Sequence, residues 1–213
     1  MAPRELAAEL LAWTPFLAGG FAWNVAIAAV AMGLGTLLGM GVARVRFAAP
    51  GAAARAGQGV TSLFRNVPSF VLLFYVAFLI PVEITVAGTV IAVPNWLKAT
   101  IALTIPATAF AADQSLAFLR QQHAGKHRPE AVFWSAWIQY FLIVFMASST
   151  ASVIGADEIV ARANTVVATH QDATFMLTAY GYVAVWFLLA ALLLSRVAPR
   201  VVRRFTADNE PCQ

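Results

Sequence analysis

The stretch ATFMLTAYGYVAVWFLLAALLLSRV, residues 173–197, decides the class of fold. Its one charged residue is Arg196, which lies next to its end. About 20 mostly apolar residues are enough for an α-helix to cross the hydrocarbon core of a bilayer. We therefore predict a membrane-spanning helix here.

Four earlier runs of similar length are also apolar, and they predict an all-α membrane protein that forms a single domain over residues 1–213. Their approximate limits are 21–43, 68–87, 96–119 and 131–154. Within the second run, Pro81 favours a bend or an early helix end. The whole chain is 61% hydrophobic and 11% charged, against roughly 45–50% and about 25% in soluble domains. This composition excludes a soluble enzyme.

The positions of the basic residues predict the orientation of the five spans. Eleven of the 14 lysines and arginines follow the first, third and fifth spans: Arg44, Arg46, Arg55, Arg65, Arg120, Lys126, Arg128, Arg196, Arg200, Arg203 and Arg204. Connections that are rich in Lys and Arg stay in the cytoplasm. We therefore expect an external N-terminus and a cytoplasmic C-terminus. The net charge of +4 is then explained by the orientation in the membrane, and it does not predict nucleic-acid binding.

Two segments outside the spans have apolar residues on one helical face. In residues 1–20, Leu6, Leu10, Trp13 and Leu17 recur every three or four positions, which predicts an interfacial helix, with a signal peptide as the alternative. Residues 157–169 have the same character. We expect this second segment to lie along the outer surface, either as a plain interfacial helix or as a ledge on which an external protein docks.

Polar residues inside the apolar runs are candidates for function. Asp113 lies deep in the third run, where a carboxylate is costly without a partner. The alternative is that this span ends near residue 112 and leaves Asp113 at the cytoplasmic interface. Ser148, Ser149 and Thr150 either help helices to pack or line a polar path.

The remaining patterns in the sequence predict structural roles and no functional site. Gly35 and Gly39 form a GxxxG element, which predicts close helix packing. His123, His127 and Glu130 resemble a metal-ligand set, but they fall in a basic segment that Gly125 interrupts, so we predict a solvated loop and no metal site. The sequence contains neither a glycine-rich phosphate-binding loop nor the motif that positions a nucleophilic serine. It therefore does not predict an enzyme. The single cysteine, Cys212, has no partner in the chain for a disulfide.

Three segments resemble the polar amino-acid permease family of ABC importers. Residues 64–68, Phe-Arg-Asn-Val-Pro, are similar to its Phe-Arg-Gly-Thr-Pro signature. Residues 109–113, Ala-Phe-Ala-Ala-Asp, are similar to its Ala-Tyr-x-Ala-Glu stretch. Residues 147–159 resemble its Lys-Asp-Thr-Ser-Leu segment with the Ile-Gly and Glu-Leu that follow. The order and spacing of the three segments carry the resemblance, which covers about residues 19–205.

The resemblance implies a five-span permease subunit of an ATP-driven importer in the bacterial inner membrane, which moves an amino acid or a similar small polar solute. It implies three partners: ABC ATPase subunits that bind ATP and Mg²⁺, a second permease subunit in a heterodimer, and a periplasmic solute-binding protein. No cofactor is expected on this chain itself.

The resemblance also implies roles for individual residues, by their place in the motifs. The motif at the start of the second span contributes Arg65, Asn66 and Pro68, and we expect Asp113 to pair with a basic side chain such as Arg65. The translocation path is expected to involve Asp113, Ser148, Ser149 and Thr150. The ATPase-facing loop would contain Arg120, Lys126, Arg128 and Glu130. The surface facing the binding protein would contain Asp157, Glu158 and Arg162.

One element of the family is reduced in this chain. Between the third and fourth spans the family has a Glu-Ala-Ala-x-x-x-Gly loop and a Leu-Pro that couple the permease to the ATPase, whereas here only residues 119–130 are available. Two other functions therefore stay open. The first is a membrane scaffold or regulatory subunit that does not transport. The second is a small ion-coupled carrier that uses Asp113.

Overall fold

The computed structural model describes residues 3–48, 51–86, 88–125, 129–170 and 172–207. In these ranges the chain is mostly helical. Its elements are α1 (Pro3–Ala48), α2 (Ala52–Asn66), α3 (Ser69–Leu79), β1 (Glu83–Val86), β2 (Thr89–Ala92), α4 (Asn95–His123), α5 (Pro129–Ala147), a 3₁₀ helix (Ser148–Ile154), α6 (Ile159–Ala168) and α7 (Ala173–Ala207).

Four of the helical segments are long and apolar enough to cross a membrane. They are α1, α4, α5 with the 3₁₀ helix, and α7. A fifth candidate is α2 together with α3, which meet at an angle of 99°. Within the described residues the spans therefore number four, or five if the bent pair counts as one.

The predicted span over residues 68–87 is wrong beyond Leu79, where α3 ends. Pro81 has no N–H to donate, and Ile80 before it is extended with φ −90° and ψ 120°. The chain then forms an antiparallel hairpin in which Ile84 pairs with Ile91. Its turn contains Gly88 at φ +82°, a left-handed conformation that glycine adopts without strain.

The prediction of a separate interfacial helix over residues 1–20 is also wrong, because α1 continues through this segment without a break. The apolar stripe was identified correctly, but protein covers it: Leu6, Leu10 and Leu17 are buried in one cluster with residues of α6 and α7. The close approach depends on Gly20, where a Cβ would lie 2.8 Å from the Cα of Ile159.

The two glycines of the GxxxG element lie against α4, as the sequence predicts. A Cβ at Gly35 would come within 2.6 Å of the Cβ of Ala107, and one at Gly39 within 2.6 Å of the Cβ of Ala111. Small residues on both helices allow the backbones to approach this closely. The α1–α4 contact therefore forms the centre of the bundle.

The fourth predicted span changes its helix type near one end. Residues 148–154 form the 3₁₀ helix, whereas the sequence predicts a regular span to residue 154. The hydroxyls of Ser148, Ser149 and Thr150 each donate to the carbonyl three residues earlier, which suits the tighter winding. The amphipathic helix expected over residues 157–169 is confirmed as α6, and its apolar face packs on α1 and α7.

Candidate functional site

One end of the bundle contains a cluster of ions built around Asp113. Arg46 Nη1 donates to Asp113 Oδ1 at 2.7 Å, and Arg65 Nη1 donates to Asp113 Oδ2 at 3.0 Å. The two arginines differ in environment, since the side chain of Arg46 is 10% exposed and that of Arg65 is 62% exposed. Arg46 also donates to the buried Thr61 hydroxyl at 3.2 Å. The cluster joins α1, α2 and α4.

The expected pair between Asp113 and Arg65 is therefore present, and Arg46 adds a second partner that the sequence analysis missed. α4 continues ten residues beyond Asp113, to His123, and the alternative that the membrane span ends near residue 112 stays a prediction. Because two guanidinium groups from different helices donate to one carboxylate, the cluster holds α1, α2 and α4 together.

The segment expected to match the family signature forms the bend between α2 and α3. Arg65 and Asn66 are the last residues of α2, and Val67 is extended. Pro68 precedes α3, and its carbonyl accepts hydrogen bonds from the backbone N–H groups of Val71 and Leu72 at 3.0 and 3.2 Å. The signature thus directs α3 back along α4 and places Arg65 beside Asp113.

The opposite end of the bundle contains a buried polar network. Asn24 Nδ2 donates to Glu158 Oε2 and to Ser148 Oγ, both at 3.0 Å, and its Oδ1 accepts from the Ile159 N–H at 3.2 Å. Asn24, Ser148 and Glu158 are all fully buried. One asparagine on α1 therefore connects the 3₁₀ helix to the start of α6.

Glu158 does not face outward, which corrects its expected place on the surface for a binding protein. Its carboxylate caps α6 by accepting the N–H groups of Val160 and Ala161 at 3.0 and 2.9 Å. Burial raises the pKa of Glu158, and the hydrogen bonds from Val160, Asn24 and Ala161 lower it less than burial raises it. A capping residue must point back into its own helix, so its side chain is unavailable to a partner.

Of the other two residues expected on that surface, only Asp157 is exposed, at 68%. Arg162 donates two hydrogen bonds to the Asp157 carboxylate, from Nε to Oδ1 at 3.1 Å and from Nη2 to Oδ2 at 2.7 Å. The Nη1 of Arg162 donates to the carbonyl of Phe16 at 2.8 Å, and its guanidinium lies 4.9 Å from the centre of the Phe16 ring. Arg162 therefore fastens α6 to α1.

The hydroxyl residues expected to line a path divide into two groups. Ser148 is buried and belongs to the Asn24 network, so in this chain it serves packing. Ser149 and Thr150 are half-buried, and their hydroxyls donate to the carbonyls of Met146 and Ala147. Their role in a path stays a prediction.

The loop expected to face an ATPase is short. α4 ends at His123 and α5 begins at Pro129, with Arg120 exposed and Glu130 half-buried. Lys126 and Arg128 lie outside the described residues, as does His127. In the part of the chain that the structure describes, no three His, Cys, Asp or Glu side chains come together as metal ligands.

Comparisons with solved structures identify the fold. The chain superposes on an amino acid ABC transporter crystallised with histidines, at a TM-score of 0.71 and 16% identity, over 91% of this chain and 96% of that one. It also superposes on the MetNI methionine ABC transporter in an inward-facing conformation, at 0.67 and 19% identity, over 88% and 95%. This chain has the fold of an ABC-transporter membrane subunit. Its sequence matches no protein-family model and no curated protein.

The functional residues that the sequence analysis missed are Arg46 and Asn24. Each carried a signal of its own. Asn24 is the polar residue near the start of the first apolar run, and Arg46 follows the end of that run by a few positions. The sequence does not show which residues they contact, because both contact side chains more than 60 positions away, as Arg46 does with Asp113.

Proposed function

We propose that the chain is a permease subunit of an ABC importer in the bacterial inner membrane, with the end that contains Asp113 in the cytoplasm. The observation that carries this proposal is the superposition on two importers over about nine-tenths of the chain. The excess of Lys and Arg in the connections at that end supports the orientation.

The proposed solute is an amino acid or a similar small polar molecule. The sequence motifs resemble a family of polar amino-acid permeases, and both superposed transporters are named for amino acids. ATP would be hydrolysed on separate ATPase subunits, a periplasmic binding protein would deliver the solute, and a second permease subunit would complete the membrane part.

The packing of the single chain supports a path between two subunits. Thr100, Thr104 and Thr108 are buried along α4, and their hydroxyls donate to carbonyls of their own helix. α3, in contrast, exposes 72% of Tyr75 and 84% of Phe78. A second subunit placed against α3 would cover this face, and a solute path between the two subunits would then run beside the Tyr75 hydroxyl.

A second candidate function, a scaffold subunit that does not couple to ATP, is favoured by one observation. Only residues 124–128 separate α4 from α5, which leaves no room for a helix that presses into an ATPase. If the subunit does couple, α2 is one surface available at that end, since it lies across the bundle and exposes Arg55 and Gln58.

Uptake into vesicles separates the two functions. The complex purified through this chain is reconstituted with ATP inside, and uptake of a mixture of radiolabelled amino acids is followed. Arg55→Glu on α2 is compared with Arg200→Glu near the end of α7 as a matched charge control. Uptake that requires ATP and is lost in Arg55→Glu alone supports a coupled permease. Uptake that is equal in both variants argues for coupling through the other subunit.

A further inference from the structure

Two adjoining cavities lie along α1 and α5, outside the Asp113 cluster and the Asn24 network. The first has a volume of about 510 Å³ and is lined by Gly33, Leu37 and Trp137 among others. The second has about 230 Å³ and contains Arg44, Ser115 and Glu130. Trp134 lines both cavities, so they adjoin at its side chain. We name the combined feature, from Val30 to Arg44 on α1, the α1–α5 groove.

The length of the groove matches one leaflet of a bilayer. The 14 steps from Val30 to Arg44 advance by about 21 Å along a helix, at 1.5 Å per residue. One leaflet contributes about 15 Å of hydrocarbon. An occupant that fills the groove therefore has an apolar tail as long as one leaflet and a polar head a few ångströms long.

The chemistry of the groove changes along this length. The first cavity is apolar, with Gly33, Leu34 and Leu37 exposed on α1. The second brings together a guanidinium, a carboxylate and a hydroxyl. Arg44 and Glu130 form no ion pair with any described residue, and Ser115 Oγ is buried without a hydrogen-bond partner. A buried hydroxyl without a partner is costly and points to a group that is supplied from outside.

We infer that the α1–α5 groove binds one molecule of phosphatidylethanolamine from the leaflet at the end of the bundle that contains Asp113. The lipid phosphate would accept from Arg44 and from the Ser115 hydroxyl, and its primary ammonium would donate to Glu130. An acyl chain would fill the space over Gly33. This inference requires a membrane but neither an ATPase nor a transported solute.

The paired charges select this head group over two others. Phosphatidylglycerol has the phosphate but no cation for Glu130, whose carboxylate would then lie unpaired beside the phosphate that Arg44 binds, and these like charges repel. Phosphatidylcholine has the cation, but its methylated nitrogen cannot donate a hydrogen bond to Glu130. The loss of one such charged hydrogen bond corresponds to roughly tenfold in affinity.

The test is native mass spectrometry of the full chain in mild detergent, to which phosphatidylethanolamine, phosphatidylglycerol or phosphatidylcholine is added. The first variant is Glu130→Gln, which removes the charge that selects the ammonium. The second is Gly33→Leu, which fills the tail region, since a Cβ at Gly33 meets no atom within 4 Å. Gly41→Leu is the matched control, because Gly41 lies on the same helix in equally open space and does not line the groove.

We expect the wild-type chain and Gly41→Leu to retain one phosphatidylethanolamine about tenfold more tightly than either other lipid. Glu130→Gln should lose this preference while it still binds lipid, and Gly33→Leu should lose the bound lipid while it folds normally. Equal retention of the three lipids by the wild-type chain would overturn the inference. So would a Gly33→Leu variant that keeps its lipid, or one that instead releases a second permease subunit from the groove.

Discussion

Arg46 Nη1 on α1 lies 2.7 Å from Asp113 Oδ1 on α4, and the Arg46 side chain is 10% exposed. On the other side of the same carboxylate lies Arg65, 3.0 Å away and 62% exposed. Charged hydrogen bonds inside a protein contribute about 1.5–3 kcal/mol, whereas exposed ion pairs contribute about 1 kcal/mol or less. The two arginines therefore hold Asp113 with unequal strength.

The first prediction compares Arg46→Met with Arg65→Met. The change at Arg46 should lower the free energy of unfolding by about 1.5–3 kcal/mol, because it leaves Asp113 and Thr61 without their buried partner. The change at Arg65 should cost about 1 kcal/mol or less. Unfolding in mixed micelles measures both, and equal losses would show that burial does not decide the strength of this cluster.

The second prediction concerns the contact between α1 and α4. Gly39→Ala should destabilise the bundle, because the added Cβ would lie 2.7 Å from the backbone nitrogen of Ala112 and from the carbonyl oxygen of Thr108. Gly41→Ala, two positions away in open space, should be neutral or slightly stabilising, since alanine favours a helix by about 0.5–1 kcal/mol over glycine. The difference in thermal midpoint between the two variants is the measurement. Matching midpoints would argue against the close approach.

The membrane class, the amphipathic α6 and the close packing at Gly35 and Gly39 can be predicted from the sequence, because each depends on a local pattern of apolar or small residues. Features that depend on contacts between distant segments cannot be predicted in this way. Leu6 and Leu10 have the pattern of an interfacial helix, but whether lipid or α6 covers them is a tertiary question. The hairpin after Leu79 was missed because a run such as Ile84 to Val86 is as apolar as a membrane helix.

The same division holds for the candidate site. The pairing of Asp113 with Arg65 was predicted from two features of the sequence. A carboxylate in an apolar run needs a cation, and Arg65 lies in the motif that resembles the family signature at the start of the second predicted span. Glu158 was misplaced because a capping carboxylate and a surface carboxylate look alike in sequence. They are distinguished by tertiary contacts, among them the hydrogen bond to Glu158 from Asn24, 134 positions earlier in the sequence.

The third prediction is a pH dependence of stability that arises from Glu158. Burial raises its pKa above the ordinary value of 4.5, so the folded chain binds more protons than the unfolded chain as the pH rises from 4.5 towards the raised pKa. The contribution of Glu158 to the free energy of unfolding should therefore fall as the pH rises from 4.5 towards the raised pKa.

Glu158→Gln tests this directly, because glutamine keeps one side-chain oxygen for the α6 cap and does not titrate. The thermal midpoint of the wild-type chain should decline from pH 4.5 upward more steeply than that of Glu158→Gln. If the two curves run parallel, the Glu158 carboxyl is not the titrating group.

The fourth prediction concerns the joint between α6 and α1. Arg162→Lys should weaken it, because lysine cannot form the two parallel hydrogen bonds to Asp157 and still reach the Phe16 carbonyl. We expect faster proteolysis near α6 with little change at the far end of the bundle. Arg200→Lys, whose described hydrogen bond is to the carbonyl of Arg196 in its own helix, is the control. Identical cleavage of both variants would refute the role of Arg162.

The proposal that this chain is one permease subunit of an ABC importer is tested most directly by identifying its partners. The chain is purified in mild detergent from its native membrane with a tag at its N-terminus, and everything that accompanies it is identified by mass spectrometry. The account predicts an ABC ATPase and a second permease subunit in a fixed ratio to the chain. A chain that is recovered alone, or with unrelated membrane proteins, would contradict it.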